Sequence, residues 1–240
     1  MYISENCSFI PYSSHPILDT KVNDLDLTDS FGNYDKVVRF LSNNYNYGLD
    51  EIFRRSQIEE TDPKIKEYIA KQGYGLYILI NDTDAHVRCK VAEQGYGLDI
   101  LINAEHPWVR SAVAEQGYGL NKLINDENLN VRIEVAKQGY GLDQLIMDKE
   151  WWVRCEVAKK GYGLDILISD EDFRVRGAVA EQGYGLDKLI GDEIHSIRWI
   201  VAEQGYGLDK LINDINSNVR EGVIKYLKEN NLRPDRKSVV

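Results

Sequence analysis

Cysteine and proline are scarce in this sequence, and long apolar runs are missing. Three cysteines and five prolines occur in 240 residues. Cys7, Cys89 and Cys155 are widely spaced and odd in number, which excludes a disulfide framework and a close-spaced metal cluster. No apolar run approaches the roughly 18 residues of a membrane-spanning helix, and residues 1–20 lack the segments of a secretion signal. We therefore expect a reduced, cytoplasmic protein that binds no membrane, metal or cofactor.

Basic residues are also in short supply. Lys and Arg number 29 against 39 Asp and Glu, so the net charge is −10. A surface that binds nucleic acid needs clustered Lys and Arg, so direct nucleic-acid binding is not expected. Only the end of the sequence is basic, with Arg233, Arg236 and Lys237 in a short tail at residues 231–240.

The sequence offers no catalytic constellation. The four histidines show no metal-ligand spacing, and no Ser/His/Asp or Cys/His arrangement can be argued from their positions. Every residue of the repeated framework is also duplicated, whereas an active site is usually unique. We therefore predict that the protein is not an enzyme.

A Gly-Tyr-Gly triplet recurs every 22 residues without insertion. Its first glycines are Gly73, Gly95, Gly117, Gly139, Gly161, Gly183 and Gly205. Such a fixed period indicates a stacked array of repeats. An eroded copy at residues 37–53 precedes the array and a half-copy at 218–232 ends it, as expected for capping units. We place the repeat domain at residues 34–230 and an N-terminal cap or arm at residues 1–33.

One repeat, "DEDFRVRGAVAEQGYGLDKLI", predicts a helix, a glycine turn and a second short helix. Asp172 is a good N-cap, as are Asp84, Asn128 and Asn216 at the equivalent positions, and Pro107 at the next position favours a first helical turn. A helix of about ten residues to Gln182 would bury Val175 and the Val-Ala pair that follows, and Leu186, Leu189 and Ile190 of the short helix would point inward. The first glycine would end this helix in the left-handed conformation, and the second would allow re-entry into a short helix, for which 3₁₀ geometry is suggested by its length. The tyrosine is expected to stack on its copies in neighbouring repeats. A phosphate-binding loop is not favoured, because no strand precedes the triplet.

The repeat resembles HEAT-like repeats, in particular the short leucine-rich-repeat-variant type. The resemblance rests on "DEDFRVRGAVA", "NDTDAHVRCKVA" and "NDENLNVRIEVA", and it covers roughly residues 34–230. It implies an α-solenoid in which a column of aspartates pairs with a column of arginines along the stack, with one break at Ala104. The repeats are shorter than usual HEAT units, and the cysteines of the variant family's metal cluster have no counterpart. Both families serve mainly as binding surfaces.

Four positions differ strongly between copies, namely the two before and the two after each Val-Arg pair. At about 100° per residue, Arg174, Gly177 and Ala178 are predicted to face away from the core, with Phe173 at the border. All four tryptophans of the protein lie in these columns. Exposed aromatic residues with Arg are typical of protein interfaces.

The variable columns therefore predict a partner-binding surface. Its candidate residues are His86, Trp108, Trp151, Trp152, Phe173, Arg174 and Trp199. We expect Trp108, Trp152, Phe173 and Arg174 to form a central patch. Two alternatives stay open: the tryptophans fold back and fill grooves between helices, or they mediate self-association.

An aspartate follows Gly-Tyr-Gly-Leu in five of the seven copies, with Tyr77 and Asn121 as the exceptions, and these aspartates form a candidate acidic rail. Its members are Asp99, Asp143, Asp165, Asp187 and Asp209. An acid at a helix N-terminus is stabilised by the helix dipole, which is a sufficient structural reason for the column. Repeats stacked roughly 10 Å apart would also space these charges regularly, so the rail could imitate a nucleic-acid backbone.

These observations together predict an all-α, right-handed solenoid of 22-residue helix–turn–short-helix repeats. Its expected function is non-catalytic binding of another protein as a scaffold or adaptor. The alternatives are an acidic inhibitor, of the toxin-immunity or anti-defence type, that blocks a basic protein surface, and a ligand binder or enzyme that uses the solenoid groove. The sequence leaves the oligomeric state open.

Overall fold

The computed structural model describes residues 63–232, apart from the Ile65 side chain, and is all-helical in this range. Fifteen helices and no strands occur there. The protein divides into two compact units, Met1–Tyr68 and Ile69–Val240. The predicted cap or arm at residues 1–33, the eroded copy at 37–53 and most of the basic tail lie outside the described residues.

Long helices alternate with short ones along the sequence. The long helices are α1 (Pro63–Lys71), α3 (Ala85–Glu93), α5 (Pro107–Glu115), α7 (Leu129–Lys137), α9 (Trp151–Lys159), α11 (Phe173–Glu181), α13 (His195–Glu203) and α15 (Ser217–Glu229). The short helices are α2 (Leu76–Leu79), α4 (Leu98–Leu101), α6 (Leu120–Leu123), α8 (Leu142–Leu145), α10 (Leu164–Leu167), α12 (Leu186–Leu189) and α14 (Leu208–Leu211). Each 22-residue repeat thus contributes one long and one short helix.

The long helices begin where the N-cap residues predict. The side chains of Asp84, Asn128, Asp172 and Asn216 each accept the backbone N–H two residues further on. Helix α5 begins at Pro107, as predicted, and the Nδ1 atom of His106 accepts the Trp108 N–H at 3.3 Å. Each cap satisfies one of the backbone donors that a helix start leaves unpaired.

The first glycine of each triplet ends the long helix. After α11, Gly183 has φ +70° and donates its N–H to Ala180 O at 2.9 Å, while Tyr184 N–H donates to Val179 O. This pair of hydrogen bonds is the Schellman ending, which favours glycine at its left-handed position. The helix ends at Glu181, one residue earlier than predicted.

The second glycine starts the short helix and touches the preceding repeat. Gly185 has φ +61°, and a Cβ placed on it would lie 2.1 Å from the Cδ1 atom of Ile168. The N–H groups of Leu189 and Ile190 donate to the carbonyl oxygens four residues back, at 3.0 and 2.9 Å. The short helix is therefore α-helical, and the suggestion of a 3₁₀ segment was wrong.

The core lies between neighbouring helices. In α11 and α12, Val175, Val179 and Ala180 are fully buried and Leu189 nearly so, as the stripe predicts. Each long helix from α3 to α13 contacts the next long helix and a short helix on either side, and α15 contacts the long and the short helix before it. Within the described range, helices more than one repeat apart make no extensive contact.

The burial of Gly177 and Ala178 corrects the predicted orientation of α11. Both were expected to face away from the core, but Ala178 is only 5% exposed and Gly177 is buried too. A Cβ placed on Gly177 would lie 3.6 Å from Ile200 Cδ1 in α13. The next long helix covers this side of α11, so the buried arc is wider than one core stripe.

The tyrosines of the triplets do not stack as predicted. Those from Tyr96 to Tyr206 are each 42% exposed, and no two of them form a ring pair in the described part of the protein. Their one-repeat separation, roughly the 10 Å of packed helices, exceeds the 4.5–7 Å of aromatic pairs.

The last described helix is longer because its triplet is missing. Leu227 stands where the first glycine would be, and α15 runs 13 residues to Glu229. Its ending uses Asn231 instead, with φ +54° and the same pair of Schellman hydrogen bonds. The longer α15 therefore fits the role of the first glycine in ending the other long helices.

Candidate protein-binding surface

Four residues of α9 and α11 form a layered cluster, which we call the tryptophan platform: Trp151, Trp152, Phe173 and Arg174. The rings of Trp151 and Trp152 stack with centroids 3.9 Å apart and planes 25° apart. The Arg174 guanidinium carbon lies 3.4 Å from the Trp151 ring centroid and 5.4 Å from that of Phe173. Cation–π contact and stacking therefore join residues of two successive repeats.

Asp172 fixes the cation of the platform. Its carboxylate accepts Arg174 Nε at 2.9 Å and Nη2 at 2.6 Å, and it also accepts the Arg174 backbone N–H at 2.9 Å. The Arg174 side-chain hydrogen bonds hold the pKa of Asp172 below its ordinary value, so the carboxylate stays ionised at neutral pH. This bidentate contact holds the Arg174 guanidinium over the Trp151 indole.

The platform presents its outer faces to solvent. Trp152 is 53% exposed and Phe173 is 43% exposed, whereas Trp151 is partly covered between its neighbours. Large aromatic side chains held in place yet half-exposed are the kind of residue that anchors protein interfaces. The sequence identified these four residues but assigned Asp172 only as a helix cap. Among the described repeats, only this one has an arginine directly before the Val-Arg pair and an acid two residues before that arginine. The Asp172–Arg174 contact could therefore have been predicted from the sequence.

Trp108 belongs to a different cluster. Its ring packs edge-on against His86 at 5.1 Å and His106 at 5.0 Å between centroids. Trp108 is 50% exposed. Its helix, α5, is two repeats before α9, so the predicted central patch is in fact two clusters, of which the platform is the larger.

Trp199 packs against the last described helix. A Cβ placed on Gly222 of α15 would lie 2.7 Å from Trp199 Cδ1, so the indole occupies the space that this glycine leaves. An open groove of about 500 Å³ adjoins it. The groove is lined by His195, Ser196, Trp199, Asn218, Glu221, Gly222 and Lys225. Here the alternative of a tryptophan that fills a space between helices describes the geometry well.

The acidic rail lies on the short helices. Its five aspartates are exposed and make no ion pair with any described residue. The lysine column that follows does make contacts: Lys188 Nζ donates to Ser169 Oγ at 2.7 Å, and Lys122 Nζ donates to Asn103 Oδ1. The rail therefore runs beside lysines that bridge to the preceding repeat.

An arginine–aspartate ladder joins successive repeats, as the resemblance implies. Its pairs are Arg110–Asp126, Arg132–Asp148, Arg154–Asp170, Arg176–Asp192 and Arg198–Asp214. In each pair Nε and Nη2 donate to both carboxylate oxygens at 2.6–3.0 Å, with the side chains only 7–13% exposed. The third guanidinium nitrogen, Nη1, donates to the backbone carbonyl of the residue six positions earlier. That residue is the preceding aspartate of the ladder or, for Arg110, Ala104. The ladder is structural and presents no charge to solvent.

The cysteines of α3 and α9 are unsuited to thiolate chemistry. Burial raises the pKa of the Cys89 thiol and that of the Cys155 thiol to about 11. Both are free thiols. Between residues 63 and 232, no group of three or more His, Cys, Asp or Glu residues could hold a metal ion.

Comparison with known proteins provides no family. A scan against protein-family models finds no match, and a search of the curated proteins finds no similar sequence. Within residues 63–232, none of the helices has the length and apolar character needed to cross a bilayer. The function must therefore be argued from the surface itself.

Proposed function

We propose that the protein is a non-catalytic repeat scaffold that binds a partner protein through the tryptophan platform. The proposal includes a right-handed α-solenoid over residues 34–230, of the type that HEAT-like and leucine-rich-repeat-variant proteins form. Contacts restricted to neighbouring repeats support this arrangement, because a solenoid repeat packs only against the next one.

The observation that carries the proposal is the half-exposed stack of Trp152 on Trp151 under a clamped Arg174. Trp and Arg are the residues most often found to dominate binding energy at interfaces. Ordering a free side chain on binding costs about 0.5–1.5 kcal/mol, and here the stacking and the Asp172 hydrogen bonds hold these side chains before a partner arrives. A structural role alone does not require large apolar rings at solvent-facing positions.

Truncation of the platform should abolish binding. Trp152→Ala and Arg174→Ala should each prevent capture of a specific protein from native host cells by the immobilised full-length protein. Truncating a central Trp or Arg anchor typically costs at least about 2 kcal/mol of binding, a loss of about thirtyfold or more in affinity. The captured protein, once identified, gives the affinity by calorimetry with each variant.

Two measurements separate loss of binding from loss of folding. Met147→Ala removes an exposed apolar side chain that is not part of the platform and should leave capture unchanged. The melting temperatures of all three variants should lie close to that of the parent. Unchanged capture by Trp152→Ala, or a large drop in its melting temperature, would contradict the proposal.

The exposed acidic rail favours a second candidate, an inhibitor that blocks a basic protein surface. Charge-driven binding weakens steeply as salt rises, whereas burial of aromatic residues does not. If affinity for the captured partner falls steeply with salt and Asp165→Asn weakens it more than Trp152→Ala does, the acidic mode is correct and the platform is secondary.

A further inference from the structure

The arginine–aspartate ladder repeats one three-donor arrangement. In each of the five pairs, Nε and Nη2 of the arginine donate to the aspartate of the next repeat. That carboxylate also accepts the backbone N–H two residues further on, as when Asp170 Oδ1 accepts the Asp172 N–H at 2.8 Å. The geometry therefore defines a carboxylate position with three donors.

Arg88 has the same guanidinium donors as the five paired arginines, but the sequence has no aspartate at the position that would accept their hydrogen bonds. The next ladder position is Ala104, which carries only a methyl group. Arg88 Nη1 is anchored like its counterparts, to Asp82 O at 2.5 Å and Thr83 O at 3.0 Å. The five paired arginines share this kind of Nη1 anchor, and in each of them Nε and Nη2 of the planar guanidinium reach the aspartate of the next repeat.

None of these donors has a protein acceptor in the described residues. Nε and Nη2 of Arg88 make no hydrogen bond there, and neither does the backbone N–H of His106, which stands two residues after Ala104. Glu105 is the neighbouring carboxylate. Three of its counterparts, Glu127, Glu171 and Glu193, come within 3.6–3.8 Å of a ladder arginine, but Glu105 makes no such contact with Arg88.

We propose that Arg88 and the His106 N–H form a binding site for a carboxylate supplied from outside the protein's own ladder. The fork of Nε and Nη2 fits the two oxygens of a planar carboxylate, and five copies of the same arrangement hold one. The site adjoins the Trp108 cluster, because His106 also packs against that indole. The ligand is a carboxylate such as acetate, an Asp or Glu side chain, or the free C-terminus of a peptide. The site is independent of the tryptophan platform.

The test is a nuclear magnetic resonance titration of the full-length protein with sodium acetate at constant ionic strength. The Arg88 Nε–H and His106 N–H resonances should shift together and saturate, while those of Arg110 and Asn128, whose acceptor is Asp126, serve as internal references. Ala104→Asp fills the site from within and should weaken acetate binding at least about tenfold, because its carboxylate would compete for the same charge-assisted hydrogen bonds. Ala104→Ser should retain it.

A second titration, with peptides, identifies the source of the carboxylate. An acetylated dipeptide of glycine with a free C-terminus should produce the same saturating shift, and its amidated form should produce none. A shift from acetate alone would restrict the ligand to small free carboxylates. The proposal is overturned if acetate gives no saturating shift, if Ala104→Asp responds like the parent, or if a response appears only in Glu105→Gln, because Glu105 would then fill the fork.

Discussion

At the residue scale, the two glycines of a triplet such as Gly161-Tyr162-Gly163 have different structural roles. Both have positive φ, which costs other residues roughly 1–2 kcal/mol. A Cβ on the first glycine, Gly161, would meet nothing within 4 Å, whereas one on the second, Gly163, would lie 2.1 Å from Ile146 Cδ1. In this repeat the first glycine therefore provides conformation only, and the second also provides close approach between repeats. The last triplet differs, because a Cβ on its first glycine, Gly205, would also collide with the Tyr226 ring.

This difference predicts unequal costs for two neighbouring substitutions. Gly161→Ala should lower the free energy of unfolding by roughly 1 kcal/mol through backbone strain. Gly163→Ala should cost about 1–3 kcal/mol more, because it overpacks the contact with Ile146. Urea denaturation monitored by circular dichroism measures both.

A double mutant isolates the steric part of the cost. Ile146→Val removes Cδ1, the atom that the new Cβ would meet, and leaves Cγ1 at 3.4 Å from it. Gly163→Ala should therefore cost clearly less in the Ile146→Val background than in the parent. Equal costs for the two glycines, or strict additivity with Ile146→Val, would show that close approach is not the reason for the second glycine.

At the element scale, the arginine–aspartate ladder connects each long helix from α5 to α13 to the start of the next long helix. The aspartate bonds to the arginine of the preceding repeat and to a backbone N–H at its own helix start, so one carboxylate orients two elements. The hydrogen bonds from Arg198, followed by that from the Asn216 N–H, hold the pKa of Asp214 below its ordinary value. Such a shift links the packing of α13 on α15 to pH.

The sign of this linkage predicts a loss of stability in acid. The unfolded protein holds Asp214 at its higher ordinary pKa, about 3.9, so it binds more protons in acid than the folded protein does. The contribution of the Asp214 carboxylate should be complete above about pH 5 and should be lost progressively as the pH falls toward the lower pKa of the folded protein. Asp214→Asn should be less stable than the parent at neutral pH and should lose less stability on acidification.

Denaturation at a series of pH values measures this difference. Asp209→Asn is the matched control, since Asp209 is exposed and accepts no hydrogen bond from an arginine. It should follow the acid profile of the parent. An Asp214→Asn profile that runs parallel to that of the parent would contradict the linkage.

At the scale of the whole molecule, the repeats are independent beyond their nearest neighbours. Helices in repeats that are not adjacent make no extensive contact in the part of the protein that the structure describes. The ladder, the glycine contact and the buried valines all join one repeat to the next. Stability should therefore be roughly a sum over repeats and their interfaces.

Deletion of one whole repeat tests this additivity. Removal of residues 127–148 joins Asp126 to Lys149 and keeps the 22-residue register of every column. The shortened protein should keep its helical content per residue and unfold cooperatively. The slope of its free energy of unfolding against urea concentration should be reduced roughly in proportion to length.

A deletion of half that length is the control. Removal of residues 127–137 takes out α7 but leaves its turn and short helix, so α6 and α8 would follow one another without a long helix between them. This variant should lose cooperative unfolding. Equal disruption by both deletions would show that distant repeats depend on each other.

Much of the architecture was predictable because it is local. The N-caps at Asp84, Asn128 and Asp172, the helix endings and the buried Val and Leu columns depend on residues within a few positions of each other, and the 22-residue period copies them. The ladder followed from a resemblance and is present in five pairs. The partner-binding role of the aromatic residues and the acidic rail stay predictions.

What the sequence by itself determined is the unit: where each helix begins, where a glycine ends it and which residues fill its core. Only the tertiary structure decided what each repeat presents to solvent. Helix α11 is covered by neighbours on more than one side, so Ala178 is buried although one stripe predicts it outside. Likewise, Arg174 covers Trp151 because packing brings two repeats together, while Trp108 lies beyond reach in another cluster. Periodicity reports on one helix, but burial depends on every helix packed against it.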